Sequence, residues 1–453
     1  MLIKHARDVE GKPIELLVKD GVIAAVGLDF SPEEGEQVLD AEGRTLLPSF
    51  IDTHCHWRTP GFEYKEDIAT GSAAAAAGGY TFVNLMPNTK PVCSSPEIVF
   101  QVEQEAKRIG LCDANQTVSI TKDFDGHTLD HLKTLPDTIR FITEDGHGVQ
   151  SNEVMAKAFA ICAKKGITIM SHAEDMDISP WDYRLAENIE TIRNLHLCEY
   201  YGTRLHLCHV STKEAIAAIQ ASKWKGVPVT CEVTPHHIWF SQDECNYRVN
   251  PPIRQSEDVQ ALVQAIQMGM VDTIGTDHAP HSAEDKEKGA AGMVGLETAF
   301  GVCYTKLCRQ CGLPLANLSE LMSRNPAAIL GLSTKGRIAP GMDADLVLVD
   351  LDTPWEVKAE NLHSKSRNTP FEGTRLYGRV CTTIKGGRIT YQAQSPNAAT
   401  KYIRFIIIKG ELHDDQYGQA VRSGGSPRPC VRGPGHRFFL SAGGVCAPGA
   451  DRR

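Results

Sequence analysis

Between about residues 48 and 338 the sequence alternates short apolar runs with helix-length segments, and this rhythm is the strongest constraint on its fold. Leu46 to Thr53 reads as a strand. Asp67 to Ala77 reads as an Ala-rich helix closed by Gly78-Gly79, and Tyr80 to Met86 as the next strand. Strand-like runs recur at Thr117–Ile120, Ile139–Thr143, Ile167–Met170, Leu205–Cys208, Val227–Val233 and Val271–Gly275. Helical stretches at Ser151–Lys165, Ala186–Tyr201 and Thr212–Ser222 lie between them. About eight such units predict an α/β protein, a (β/α)8 TIM-like barrel over 48–338. A doubly wound sheet is the alternative, but no Gly-rich phosphate loop stands at a strand–helix turn.

Both flanks have a different texture. Ile14–Val18, the turn Lys19-Asp20-Gly21 and Val22–Val26 read as a hairpin. Similar short strands return at Ala344–Asp350, Val380–Ile384 and Arg388–Tyr391. Residues 1–47 plus 339–391 are therefore expected to form one small β-sandwich domain. Residues 392–453 carry nine Lys and Arg against four Asp and Glu, and turn rich in Gly, Pro and Arg. This predicts a disordered tail.

Composition narrows the function. The net charge of −9 disfavours nucleic acid, whose phosphates need a basic surface. No apolar run reaches the length of a membrane span, and Met1 to Gly11 has no signal-peptide core. Fourteen Cys in 453 residues are too sparse for a disulfide scaffold. The expectation is a soluble cytoplasmic protein with reduced thiols.

The chemistry gathers where the apolar runs end. His54 and His56 lie two apart on an extended chain and so share one face. Alone this signal is weak, since 17 His give about 0.6 such pairs by chance. Other strand ends add Glu144-Asp145, His172, His209 and Asp277. In a parallel barrel these positions converge on one face. Such a His and carboxylate set suits Zn²⁺ or a similar divalent ion, and is large enough for two ions sharing a carboxylate and a hydroxide. Cys55, between the two histidines, faces the other way and is expected in the core.

Several stretches together resemble the amidohydrolase superfamily, and within it the long bacterial dihydroorotases. They are Pro48 to Arg58, Met86-Pro87-Asn88-Thr89, His209-Val210-Ser211-Thr212, Glu232 to His237, Val249 to Arg254, Thr276 to His281 and Gly295-Leu296-Glu297-Thr298. The resemblance covers about residues 1–391. It implies a metal-bearing (β/α)8 barrel beside a β-sandwich. It implies two Zn²⁺ per subunit, one held by His54, His56 and Asp277, the other by His172 and His209. Relatives often bridge the ions with a modified lysine. The matching strand, Ile139 to Asp145, has no Lys, which favours Asp145 as the bridge over Glu144.

The resemblance also implies that Arg58, Asn88 and His281 bind the substrate carboxylate and that Asn250 contacts the ring. Asp277 would act as general acid and base beside a bridging hydroxide. The activity implied is reversible cyclisation of N-carbamoyl-L-aspartate to (S)-dihydroorotate in pyrimidine synthesis. The family includes homodimers and members that associate with aspartate transcarbamoylase. Hydantoinases and allantoinases share the metal ligands but generally lack the Arg and Asn pair. A non-catalytic assembly partner is the third reading, disfavoured because the ligand set is complete. One departure falls at Ala290-Ala291-Gly292-Met293, where relatives commonly carry Pro-Phe-Gly in a substrate-contacting loop.

Overall fold

The computed structural model describes residues 1–393; of the tail expected to be disordered, Gln392 instead ends the strand Arg388–Gln392, and 394–453 lie outside the described residues. The apolar run predicted as a single strand over Leu46–Thr53 is two strands, Thr45–Pro48 and Phe50–Cys55. Ser49 separates them, its N–H bonded to Asp345 O and its hydroxyl to Thr81. The first strand joins one sheet and the second another.

Both chain flanks meet in the first sheet. Its order is 388–392, 379–385, 346–350, 45–48, 2–7, 13–19 and 22–27, with 38–40 also paired to 2–7. The central pairing is antiparallel, Leu346 opposite Pro48 and Leu348 opposite Leu46. This joins residues some 300 positions apart in the chain. Ile3, Leu16, Ile23, Leu46, Leu346, Leu348 and Ile384 form its buried apolar cluster. It is one mixed sheet of eight strands.

The middle of the chain forms parallel strands alternating with helices. Phe50–Cys55, Tyr80–Leu85 and Asp113–Gln116 make a three-stranded parallel sheet. Val118–Ser119, Phe141–Thr143, Thr168–Ser171, Leu205–Leu207, Val229–Val233 and Thr273–Ile274 make a six-stranded one. The expected strand at Thr117–Ile120 is reduced to 118–119, and an unexpected strand, 113–116, precedes it; 113–116 pairs on one side and 118–119 on the other. At the far side, Cys55 and His278 form a lone parallel bridge, and His56 N–H donates to His278 O at 2.9 Å. The strands are short, with only two residues in Thr273–Ile274, so the ladder is not continuous.

Local sequence explains the helices that frame this face. Asp67 caps Ile68–Ala77 by accepting from Thr70 N–H, and Thr70 answers with its hydroxyl. Gly71 in that helix is required by packing, because a Cβ there would lie 2.3 Å from the Trp57 ring. Tyr183–Tyr201 is capped by Asp182 and turns Glu187, Glu190 and Asn194 inward, where each is hydrogen-bonded. The large core joins strand and helix side chains, among them Phe50, Val83, Ile142, Ile169, Leu207, Val233 and Ile274. Among the described residues no helix is long and apolar enough to cross a membrane. All twelve cysteines there are free thiols, and Cys55 is buried in the core.

Candidate metal centre and active site

The predicted residues converge. Nine of the ten line one cavity of about 260 Å³; His54 is fully buried behind it. His54 is the penultimate residue of the strand Phe50–Cys55 and His56 follows it, and Asp145 follows Phe141–Thr143. His172 follows Thr168–Ser171, His209 follows Leu205–Leu207, and Asp277 follows Thr273–Ile274. Parallel strands bring their carboxyl ends to one side, and this supplies the cluster. Arg58, His209 and Asp277 all adopt positive φ, at 61°, 34° and 45°. That region is unfavourable for residues other than glycine and is tolerated where surrounding structure fixes the backbone.

Asp145 stands at the centre. Its Oδ1 lies 3.3 Å from His54 Nε2, 3.6 Å from His172 Nδ1 and 3.8 Å from His209 Nε2. Its Oδ2 lies 3.6 Å from His56 Nε2 and accepts from Asn88 Nδ2 at 3.1 Å. Oδ1 thus faces three imidazoles, and Oδ2 faces one imidazole and the Asn88 amide. Asp277 Oδ1 lies 3.2 Å from His56 Nε2 and 3.6 Å from His54 Nε2. Glu144 turns elsewhere, accepting from Thr121 N–H at 2.9 Å and from the Thr121 hydroxyl. Burial pushes its pKa up to about 7.

The donor chemistry fits divalent ions. His54 Nε2 is buried without a hydrogen-bond partner and faces the carboxylates of Asp145 and Asp277. His172 Nδ1 and His209 Nε2 approach to 2.8 Å. Ligand atoms of His54, His56 and Asp277 lie within 4.8 Å of one another, as do those of His54, Asp145 and His209. Two imidazole nitrogens and a carboxylate oxygen facing one point are a usual cation environment.

Supporting carboxylates went unrecognised in the sequence. Glu232 Oε1 lies 2.9 Å from His54 Nδ1, and Oε2 lies 3.1 Å from His206 Nε2. Glu232 also accepts from the Thr53 hydroxyl and from His209 N–H. A carboxylate on Nδ1 fixes the His54 tautomer and leaves Nε2 free for a metal. Glu174 does the same for His172, with Oε2 2.9 Å from Nε2, and also accepts from Asn250 Nδ2 at 2.8 Å. Burial alone would raise the Glu174 pKa, but the hydrogen bond and charge of His172, together with hydrogen bonds from Asn250 and Ser179, outweigh it and bring the value to about 2. Glu232 is the penultimate residue of the strand Val229–Val233, close to the strand-end position that picked out the other residues. Glu174 stands two residues after His172.

The polar end of the cavity is cationic. Arg58 is only 9% exposed, and among the described residues no carboxylate pairs with it. Its Nε donates to Pro280 O at 3.2 Å. Burial, then the charges of Arg58 and Lys65, pushes the His281 pKa down to about 3, so its imidazole is neutral. Asn88 Oδ1 lies 2.9 Å from His56 Nδ1, which ties this residue to both His56 and Asp145. A buried guanidinium beside open space suits a carboxylate ligand.

A model of the amidohydrolase family matches residues 45–390. The chain belongs to the amidohydrolase family. It is 50% identical over 400 residues to a dihydroorotase of Clostridium botulinum (strain Eklund 17B / Type B), covering 86% of this chain and 99% of that one. A dihydroorotase of Lactobacillus delbrueckii subsp. bulgaricus is 36% identical over 405 residues, 83% of this chain and 95% of its own. Among solved structures, an L-hydantoinase from Arthrobacter aurescens aligns with a TM-score of 0.79 at 26% identity, covering 86% of this chain and 95% of its own. A dihydropyrimidinase from Brevibacillus agri NCHU1002 aligns at 0.78 with 22% identity, a likeness of fold alone. The family and these neighbours imply the TIM-barrel plus small β-domain fold.

Proposed function

We propose that this chain is a dihydroorotase, a metal-dependent cyclic amide hydrolase that interconverts N-carbamoyl-L-aspartate and (S)-dihydroorotate. One observation carries the substrate choice. The buried Arg58 guanidinium has no carboxylate partner among the described residues and opens on the cavity that holds the His and Asp cluster. Dihydroorotate offers a carboxylate for that cation and a cyclic amide for the cluster. The 50% identity to a dihydroorotase supports the same reading.

His54, His56 and Asp277 would hold one ion, His172 and His209 the second, with Asp145 shared between them. Zinc, two ions per subunit, is the proposed loading. When bound, the ions lower the pKa of water and polarise the amide carbonyl. The chain's own residues do the rest. Arg58, Asn88 and His281 hold the carboxylate, and Asn250 contacts the ring, so the substrate is oriented before reaction. Asp277 accepts a proton from the attacking water and delivers it to the leaving ring nitrogen as the amide C–N bond breaks. The reverse sequence closes the ring with loss of water.

The two parallel sheets are proposed as arcs of one (β/α)8 barrel over 48–338. Support comes from the continuous run 113–119 that pairs in both sheets and from the Cys55–His278 bridge. Residues 1–47 plus 339–391 are proposed as the small β domain, built on the single mixed sheet rather than on the two sheets of a sandwich. A homodimer, association with aspartate transcarbamoylase and a cytoplasmic location rest on the resemblance. Light scattering with and without the transcarbamoylase tests the assembly.

The activity is tested by assaying dihydroorotate, hydantoin and allantoin on the full chain, with and without chelator. Chelator-sensitive turnover of dihydroorotate, restored by Zn²⁺, is expected. Preferred turnover of hydantoin or allantoin would replace the reading with a different cyclic amidase.

A further inference from the structure

The loop at 290–292 has no regular strand partner, yet Ala291 and Gly292 line the substrate cavity. Its backbone carbonyls are instead gathered by one side chain. Lys286 Nζ donates to Ala290 O at 2.8 Å, Gly292 O at 2.9 Å and Arg248 O at 3.0 Å. An ammonium has three N–H donors, and all three are used. The face of Tyr247 lies beneath it, 4.3 Å from Nζ to the ring centroid.

The contacts join two walls of the site. Arg248 stands two residues before Asn250, and Gly292 N–H returns a bond to Arg248 O at 3.1 Å. Asn368 Nδ2 also donates to Gly292 O at 3.1 Å, while its Oδ1 accepts from His281 N–H at 3.1 Å. Position 292 itself needs glycine. Its φ is +127°, and a Cβ would lie 2.7 Å from Ala279 Cβ.

We infer that Lys286 is a positioning residue, a cationic latch that holds the 290–292 loop against the Asn250 wall and so sets substrate affinity. The assignment rests on the dihydroorotase reading of this cavity. Nearby acidic groups are otherwise engaged: Asp285 pairs with Lys65 at 3.3 Å and Glu284 with Lys288 at 2.5 Å. Among the described residues no carboxylate pairs with Lys286, which leaves its charge for the carbonyls. The titratable or charged groups near it are Tyr247 and Arg248 from the neighbouring segment, His281 across the cavity wall, and Glu284, Asp285 and Lys288 on its own segment.

Burial, then the charge of Arg248, pushes the Lys286 pKa down to about 8. The neutral amine has one donor fewer and aims a lone pair at a carbonyl. The latch therefore loosens in mild alkali.

The test compares the zinc-loaded full chain with Lys286→Met and Lys286→Arg. Readouts are KM and kcat for dihydroorotate from about pH 7 to about pH 9.5, and amide hydrogen exchange across 286–294. Lys286→Met is expected to raise KM about tenfold with kcat within about threefold, and to speed exchange at 289–293. The wild-type KM should climb above about pH 8, while Lys286→Arg keeps a flatter profile because its charge persists. A Lys286→Met protein with KM within about twofold of wild type and unchanged exchange overturns the latch. If that variant fails to fold, the contrast between wild type and Lys286→Arg decides, and identical alkaline profiles overturn it. Absence of wild-type dihydroorotate turnover would instead remove the functional reading. The exchange data would still report whether Lys286 orders the loop.

Discussion

Arg58 Nη2 lies 3.3 Å from His281 Nε2. A neutral imidazole beside a guanidinium accepts from it through a lone pair, and this orients both groups without cancelling the positive charge. The arrangement keeps a planar cation available for a carboxylate. Arg58→Gln is expected to raise KM for dihydroorotate by about 100-fold or more while metal content stays unchanged, since a charge-assisted bidentate pair is lost. Arg58→Lys should recover only part of that affinity, because a point charge lacks the fork. Steady-state kinetics with metal analysis on the same samples checks both. A Gln variant with wild-type KM would remove Arg58 from substrate binding.

Two adjacent carboxylates have opposite fates. Asp145 reaches four imidazoles, whereas Glu144 is committed to Thr121. Asp145→Asn should lower bound zinc and abolish turnover. Glu144→Gln should keep its metal and most of its activity, with a cost to stability of about 1–3 kcal/mol from the strained replacement of a buried acceptor. Metal stoichiometry after dialysis against a weak chelator separates the two. Equal metal loss in both variants would contradict the assignment.

The strand-end rule picked out the residues that cluster because it needs only local pattern. An apolar run marks the strand, and the residue after it lies at the open end. The same rule could not pair each imidazole with its supporting carboxylate. His54 and Glu232 meet across 178 residues, and periodicity carries no information on such contacts. Lys286 was invisible for a related reason, since its partners are backbone carbonyls, which every residue has. In the fold, the division at Ser49 was hidden by apolar residues that continue through the change of sheet. The helices Pro96–Ile109 and Ser256–Gln267 were passed over. The first had a legible start in Ser95-Pro96 and apolar positions at Val99, Val102 and Ala106.

Glu232 offers a test of metal support from behind the ligands. It accepts from His54, His206, the Thr53 hydroxyl and His209 N–H, so every contact uses acceptor capacity. Glutamine keeps the shape but replaces one oxygen with a donor. Glu232→Gln is expected to weaken zinc binding by about 10- to 100-fold with little change in KM once the metal is saturating. Competition against a fluorescent chelator measures this directly. Unchanged zinc affinity would show that His54 is oriented by packing alone.

Away from the His and Asp cluster, His363 and Glu297 give a pH-dependent contribution to stability. Glu297 Oε2 lies 2.8 Å from His363 Nδ1, and Oε1 accepts from His363 N–H at 2.7 Å and Ser364 N–H at 3.1 Å. The side-chain bond to Glu297 raises the His363 pKa above its ordinary 6.5, outweighing burial. A raised folded-state pKa means that the native protein holds this proton more tightly than the unfolded chain. The stabilisation is therefore complete below about pH 6.5 and is lost as pH rises through the raised value. His363 is more than a third exposed, so screening limits the effect to about 0.5 kcal/mol. His363→Gln keeps a neutral hydrogen bond and loses the charge. Its Tm should fall below wild type in mild acid, and the two should converge above neutrality. Thermal melts across that range check it, and a Tm gap that widens with rising pH would show that the pair does not work through the proton.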